Sequence, residues 1–308
     1  MSSVSKVSTA FLFDSATERM SALQKRLATA QAQMSEGKQV LSPSDAPDKA
    51  AAIQRLNGEI DRQNSNVNLL NSALNHYKAE ETALSSANDI LTRLKELAVQ
   101  AANDTLGNSE RNAIATEMQA LRKELVSVGN ARDDTGNYLF SGSRVQTPAF
   151  GEAGSGAVTY QGDQTQISIP AGVERTVKYT RSGTDVYQRV VRSDGSAVGF
   201  FDAIDREINA VKAGRSSDIR LGISDIDQMA ENLTLAIARS GSDQQVVQSQ
   251  LDTLTETKLR LQSTLSDIQD LDYTEAVTRM NKDMMALQAA MGSFSKISGL
   301  NLFDYIRN

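Results

Sequence analysis

The 308-residue sequence contains no cysteine and no tryptophan, and it has a single histidine. The absence of cysteine excludes disulfides, thiolate metal sites and thiol catalysis. One histidine alone leaves no second nitrogen ligand for a metal, and no nucleophile motif accompanies it. Aromatic residues make up only 5% of the chain, which disfavours a large aromatic-lined ligand pocket. The sequence therefore predicts no enzyme, with no catalytic, cofactor-binding or metal-ligating residue and no cofactor.

Basic stripes and long apolar runs are also missing. The net charge is −6, and the lysines and arginines are scattered, so we expect no nucleic-acid binding. There is no run of about eighteen apolar residues, so we expect no membrane insertion. The first twenty residues lack a basic segment followed by an apolar core, so no cleaved signal peptide is expected. The protein either stays in the cytoplasm or leaves the cell by another route.

Near both ends of the chain, apolar residues recur at alternating steps of three and four. This spacing places side chains on one stripe of an α-helix, as in a coiled-coil seam. A seam buries nothing without a partner, so the terminal helices should pair with each other or with other copies. The N-terminal stripe is Phe13, Ala16, Met20, Leu23, Leu27, Ala30, Met34, Gly37 and Leu41, and the C-terminal stripe is Tyr273, Val277, Met280, Met284, Leu287, Met291 and Phe294.

Three helices are predicted in the first half of the chain. The first covers about 11–39 and is ended by glycine and the following Ser/Pro-rich segment. The second starts near residue 47, where serine, aspartate and proline favour a helix start, and runs to about 103. The third is shorter, with Ser109 as its predicted cap, and ends near Arg132.

In the second half, helix resumes around Gly199 and keeps an unbroken rhythm from Ile223 to Ile268. The rhythm passes through Gly241, which is therefore predicted to lie inside the helix despite its cost. A five-residue step from Ile268 to Tyr273 then breaks the phase, which indicates a change of winding or a junction. If helix were continuous over 223–298, it would be about 110 Å long.

Between these halves, glycine is frequent and alternating patterns appear. Segments 157–160, 166–169 and 176–179 read as short strands. The predicted fold class is mainly α, a long coiled-coil and helical-bundle rod formed by the N- and C-terminal halves, with a small β-rich inserted domain. The expected domains are a terminal coiled coil of 1–42 plus 270–308, a helical-bundle core of 43–137 plus 200–269, and a β-rich outer domain of 138–199.

A few residues have chemistry that a structural role explains best. His76 lies beside a seam residue, Tyr77, and we expect it to be structural or at the surface. The acidic pairs Glu80-Glu81 and Asp133-Asp134 are expected to be solvated rather than to perform acid–base chemistry. The glycines of segment 151–156 lack the strand-before, helix-after context of a dinucleotide loop.

Four segments, in chain order, resemble signatures of flagellar junction proteins and flagellins. Each motif alone is weak, but four in the right order are specific. The last one resembles the ending of the hook–filament junction proteins, whereas flagellins usually end in a stretch like "QxxLxLL". Ala46 departs from the family, which usually has aspartate there. The segments are QMSEGK (33–38) with SPSDAP (42–47), GNYLFSG (136–142), LDYTEA (271–276) and FSKISGLNLFDYI (294–306).

The resemblance implies a structural protein of the bacterial flagellum that self-assembles in a helical ring. Its implied partners are the first hook-associated protein on one side, flagellin on the other, and a cytoplasmic export chaperone that binds the C-terminal helix. It further implies an extracellular location at the hook–filament junction, reached by type III export. The alternatives are flagellin itself or an intracellular coiled-coil scaffold. The expected assembly residues are Phe13, Met20, Leu23, Leu27, Met34, Leu41, Met280, Met284, Leu287, Met291 and Phe294, and the apolar tail Ile297, Leu300, Leu302, Phe303, Tyr305 and Ile306.

Overall fold

The structure is a computed structural model that describes residues 3–154, 156–170, 176–192 and 194–306, without the side chains of 3–10, 12 and 297–306. The chain forms two compact units. The first, the terminal unit, combines Met1–Asn64 with Glu256–Asn308, and the second, the central unit, is Ser65–Thr255. The finer division into three domains stays a prediction.

Helices dominate the described residues, and short strands lie only between α3 and α5. This arrangement confirms the mainly α fold class with a small strand-containing insert. The helices are α1 Ser3–Glu36, α2 Pro47–Ala101, α3 Asn108–Gly129, α4 Gly183–Val186, α5 Phe200–Ala213, α6 Ser216–Gln269 and α7 Tyr273–Ile306. The strands are β1 Phe150–Glu152, β2 Val158–Tyr160, β3 Ser168–Pro170, β4 Thr176–Lys178, β5 Val190–Val191 and β6 Ala197–Val198, which form the antiparallel pairs β1–β2, β3–β4 and β5–β6.

In the terminal unit, α1 packs against α7. Gly37 ends α1 with a φ of 68°, a left-handed conformation that glycine adopts without a Cβ penalty. The chain then runs beside the segment that links α6 to α7. The Gln39 amide donates to the Gln269 carbonyl at 2.8 Å, and the Leu271 amide donates to the Gly37 carbonyl at 2.9 Å. These bonds fix the start of α7 against the end of α1.

Residues 223–298 do not form one continuous helix, because α6 ends at Gln269 and α7 begins at Tyr273. Asp272 caps the new helix, since its Oδ1 accepts from the amides of Thr274 at 2.8 Å and Glu275 at 3.1 Å. The phase break in the sequence thus marks a junction, the other option that the pattern left open. Gly241 does lie inside α6, as predicted.

The central unit has an apolar core contributed by α2, α3, α5 and α6. Aromatic rings extend this core into the insert, where Tyr187 packs edge-on against Phe140, Phe150 and Phe200 at centroid distances of 5.1–5.6 Å. Among the fully buried side chains are Leu84, Leu91, Leu94, Met118, Leu125, Ile204 and Ile219. The insert is therefore packed onto the helices of this unit rather than tethered to them.

Several predicted boundaries need correction. Helix α1 already begins at Ser3, and Ser109 is not a cap, because α3 begins at Asn108 with Gly107 as its N-cap. A break between α5 and α6 was missed, and Gly214 makes it with a φ of 64°. Strands β2 and β4 match the sequence pattern, β3 is shifted to 168–170, and α4, β1, β5 and β6 were not foreseen because they are too short to show periodicity.

Candidate assembly surface

The N-terminal stripe lies on the covered side of α1. Leu23 and Ala30 are buried at 8% and 7% exposure, and Phe13, Met20, Leu27 and Met34 are half-buried. Leu41 is half-buried too, but it lies after the end of α1. The predicted stripe is thus a continuous contact face on α1. Direct contacts to α7 include the edge-on pair Phe13–Phe294, with ring centroids 5.1 Å apart.

On α7 the covered stripe differs from the predicted one. The predicted and covered stripes share Met280, Leu287 and Phe294, all half-buried. The other covered positions are Ala276, which precedes them, and Asp283 and Ala290, which lie between them; together they complete the steps of four and three. The sequence pattern missed these three residues because two are small and one is charged, so each is outweighed by a larger apolar neighbour.

The predicted positions outside the covered stripe form a second stripe on the flank of α7, which we call the outer stripe. It consists of Tyr273, Val277, Met284 and Met291, with exposures of 52%, 38%, 43% and 56%. The Tyr273 hydroxyl donates to the Met34 carbonyl of α1 at 3.1 Å, and the other three side chains continue the stripe along the helix. Met285, 63% exposed, lies beside the outer stripe. Exposed apolar side chains aligned along one helix are typical of an interaction site. The C-terminal helix therefore has two apolar flanks, of which the intrachain contact uses one.

The predicted apolar tail lies outside the residues whose side chains are described. The backbone of α7 continues through it to Ile306. The roles expected for Ile297, Leu300, Leu302, Phe303, Tyr305 and Ile306 stay predictions.

In the central unit, one turn of α2 contacts the chain just before the insert and at the end of β4. Its His76 Nδ1 lies 3.2 Å from Asp133 Oδ2, just before the insert begins, and its ring packs on Tyr179 at 4.5 Å. The hydroxyl of the neighbouring Tyr77 donates to the Lys178 carbonyl at 2.7 Å. The only histidine of the chain is thus structural, at 3% exposure.

Glu80 completes this turn, and the expectation that it is solvated is wrong. It is 1% exposed and its Oε1 lies 2.7 Å from Arg181 Nε. Burial raises the pKa of Glu80 to about 7, although Arg181 acts in the opposite direction. The neighbouring Glu81 is exposed and accepts from Gln244 at 2.8 Å. The carboxylate of Glu80 therefore holds the arginine that follows β4.

The second acidic pair divides in the same way, with Asp134 exposed and the Asp133 side chain only 6% exposed. Burial alone would raise the pKa of Asp133, but hydrogen bonds from Thr135, Asn137 and His76 outweigh it and lower the pKa. Burial lowers the pKa of His76, with Asp133 opposing. Asp133 is thus a hydrogen-bond acceptor that organises a turn.

Glu207 of α5 is a second buried carboxyl that the sequence pattern did not reveal. It is 2% exposed, and neither carboxyl oxygen has a hydrogen-bond partner among the described residues. It lies against Gly222, where a Cβ would come within 1.7 Å of Oε2. Burial, and then the charges of Asp225 and Asp218, raise the pKa of Glu207 to about 8. The glycine of α6 therefore makes room for a neutral carboxyl.

The described residues offer little for substrate chemistry. A cavity of about 480 Å³ beside α3 and α5 contains Arg122, but that guanidinium already pairs with Glu152 at 2.9 Å and with Asp205 at 2.5 Å. Among the described side chains, no group of three His, Asp or Glu residues is placed to hold a metal ion. No described helix combines the length and apolar character that a membrane span needs.

Two family models match the chain. The model of the bacterial flagellin N-terminal helical region matches residues 7–145, and that of the bacterial flagellin C-terminal helical region matches residues 223–306. Together they cover both helical halves and leave out most of the insert. The chain belongs to the flagellin family of bacterial flagellar proteins.

Within this family, the chain is similar to flagellar hook-associated protein 3 of Escherichia coli K12, with 28% identity over 88% of this chain and 90% of the relative. It is also similar to polar flagellin A of Vibrio parahaemolyticus, with 22% identity over 80% of this chain and 85% of the relative. The fold resembles the solved structure of a putative flagellar hook-associated protein from Vibrio parahaemolyticus, with a TM-score of 0.64, 22% identity, and coverage of 73% of this chain and 100% of the other.

Proposed function

We propose that this protein is a structural junction protein of the bacterial flagellum that adapts the hook side to the flagellin filament by helical assembly of its subunits. The observation that carries the proposal is the outer stripe: α7 pairs with α1 through one flank and exposes large apolar residues on the next. The likeness to hook-associated protein 3 over nearly the whole of both chains supports the same function.

In this assembly, the outer stripe of one subunit packs against the terminal helices of its neighbour. The contact is heterologous, so successive copies follow a screw rotation that does not close, and they form a short helical collar. Full burial of an exposed methionine or valine side chain contributes about 1.5–3 kcal/mol, and each residue of the outer stripe gains about half of this because about half of its surface is already covered. Methionine suits such a contact because its flexible side chain adapts to neighbours that are not identical.

The collar has two different axial neighbours, the first hook-associated protein on one side and flagellin on the other. Before assembly, a cytoplasmic export chaperone binds the C-terminal helix and covers the same apolar residues, in the manner of a helix in a groove. The protein then leaves the cell by type III export. The absence of an enzymatic activity is part of the same proposal, because the relatives named above are flagellar proteins.

Flagellin is the second candidate, since a flagellin also matches most of the chain. It is disfavoured by the ending FSKISGLNLFDYI at residues 294–306, which resembles junction proteins. The two candidates differ in what limits growth. A junction protein stops after a short collar, whereas flagellin polymerises without limit.

Electron microscopy of isolated hooks that carry the first junction protein tests the proposal. Purified protein should add a short collar, and flagellin supplied afterwards should extend a filament from it. Long filaments from this protein alone would identify a flagellin. An absence of any binding would leave the intracellular scaffold.

A further inference from the structure

The methionines of the chain differ sharply in exposure. Met118 and Met229 in the central unit are fully buried, whereas Met284, Met285 and Met291 are 43%, 63% and 56% exposed. These three lie within eight residues of each other on α7. Every other methionine whose side chain is described is either half-buried or buried. Exposed thioethers are thus concentrated in one short stretch of one helix.

The rest of the sequence makes this cluster chemically distinctive. The chain contains neither cysteine nor tryptophan, so methionine is its most easily oxidised side chain. Hydrogen peroxide oxidises a thioether when the sulfur attacks one peroxide oxygen. The S–O bond forms, the O–O bond breaks, and the departing oxygen leaves as water. The sulfur loses two electrons to the peroxide, and the product is a methionine sulfoxide, which is polar and can be reduced back enzymatically.

We propose that Met284, Met285 and Met291 are a reversible oxidation site, and that their sulfoxides block the contact made by the outer stripe while α1 and α7 stay paired. The second part rests on the proposed function, since it takes the outer stripe as the subunit contact. A sulfoxide there would place a strong dipole in an apolar interface, where an unpaired polar group is costly.

Geometry separates the effect on assembly from an effect on folding. The contact with α1 uses Ala276, Met280, Leu287 and Phe294, which are buried or half-buried. The three exposed methionines lie on other sides of α7, so oxygen added to their sulfur atoms meets solvent in the free subunit. The modification therefore acts on the free subunit, and assembly protects the two methionines of the outer stripe.

Peptide mass spectrometry of the full-length protein treated with hydrogen peroxide tests the site. Met284, Met285 and Met291 should oxidise about ten times faster than Met118 and Met229, in line with their exposure. Circular dichroism should show unchanged helix content at the dose that converts these three. Equal rates at all five positions, or loss of helix at that dose, would overturn the proposal.

The collar assay tests the consequence. Protein oxidised at the cluster should incorporate several-fold less than untreated protein, and methionine sulfoxide reductase should restore incorporation. In a variant with leucine at all three positions, peroxide should no longer change incorporation, whatever its starting level. Undiminished incorporation of the oxidised protein would refute the consequence. Failure of untreated protein to form a collar would instead refute the proposed function and this consequence with it, while the oxidation rates would still decide whether the cluster is the modified site.

Discussion

Arg26 of α1 pairs with Asp283 of α7 across the terminal helix pair, with 3.4 Å between Nη2 and Oδ1. The aspartate is only 14% exposed, while the arginine is 63% exposed. Asp283 occupies a covered position between Met280 and Leu287, where a coiled coil normally has an apolar residue. A single charge in a seam fixes register at a cost in stability. This ion pair therefore defines which residues of the two helices meet.

Replacing the aspartate in D283L should stabilise the isolated protein. An ion pair with an exposed partner contributes less than about 1 kcal/mol, and an apolar side chain in the same place would continue the seam. The melting temperature of the terminal unit, followed by circular dichroism, should rise. A matched D267L change at an exposed position of α6 should leave it unaltered. A lower melting temperature for D283L would show that the Arg26–Asp283 pair stabilises the protein more than the charge in the seam destabilises it.

The contact between α1 and α7 should be required for incorporation. The double variant Leu27→Asp with Leu287→Asp places two carboxylates in the covered stripe and should abolish collar formation. Because both residues lie in the terminal unit, the central unit should still unfold cooperatively at its usual temperature. Collars formed at the normal level by this variant would contradict the requirement.

Two glycines in the terminal unit provide a matched pair for the junction. Gly37 has a φ of 68° and a Cβ there would lie 3.2 Å from the Tyr273 hydroxyl, whereas a Cβ at Gly58 would meet nothing within 4 Å. Gly37→Ala should destabilise the protein by about 1–2 kcal/mol because of the left-handed backbone. Gly58→Ala, inside α2, should stabilise it by about 0.5–1 kcal/mol. Chemical denaturation measures the change in the free energy of unfolding for both variants. Equal changes would show that a side chain at Gly37 does not strain the turn.

The buried carboxyl of Glu207 predicts a pH dependence of stability. Its pKa is about 8 in the fold, against an ordinary value of 4.5, so the folded protein keeps a proton that the unfolded chain releases. The contribution of Glu207 to the stability of the fold is fully present below pH 4.5 and is lost as the pH rises through about 8. Glu207→Gln should therefore stabilise the protein at pH 9 by about 1–3 kcal/mol relative to wild type.

Urea unfolding of wild type and Glu207→Gln at pH 6 and pH 9 measures this difference. The groups facing Glu207 are Asp225 and Asp218, with Arg192 held by Asp225 through Nη2 and Oδ2 at 2.5 Å. Glu80, whose pKa is also raised, titrates in both proteins and cancels in the comparison. A stabilisation equal at both pH values would mean that Glu207 is already ionised at pH 6.

Long helices with an apolar rhythm could be predicted from the sequence, because many repeats reinforce one pattern. The predicted positions from Phe13 to Met34 lie on the covered side of α1, whereas Leu41 lies beyond the helix. The junction before Tyr273 was one of two stated options. The predicted stripe on α7 mixed three covered positions, Met280, Leu287 and Phe294, with four positions of the outer stripe, because apolar residues on two adjacent flanks produce one merged pattern. The two flanks can be told apart only from the contact that one of them makes with α1.

The buried charges could not be predicted from the sequence. Glu80 and Glu81 are identical in type and adjacent, yet one is buried and the other exposed. What distinguishes them is Arg181, 101 residues after Glu80 along the chain. Local patterns carry no information on such distant pairs, and the same holds for His76 with Asp133. Strands β1, β5 and β6 of the insert were missed because a segment of two or three residues shows too little periodicity.

The central claim is that the outer stripe of α7 is the subunit contact, and a pair of double variants tests it most directly. Met284→Asp with Met291→Asp charges the outer stripe. Ala286→Asp with Ser293→Asp adds the same charges, at the same spacing, to exposed positions on the opposite flank of α7. The quantity measured is incorporation into collars on isolated hooks. The account predicts that the first variant fails to incorporate and that the second incorporates at least several-fold better. Equal incorporation of the two would contradict it.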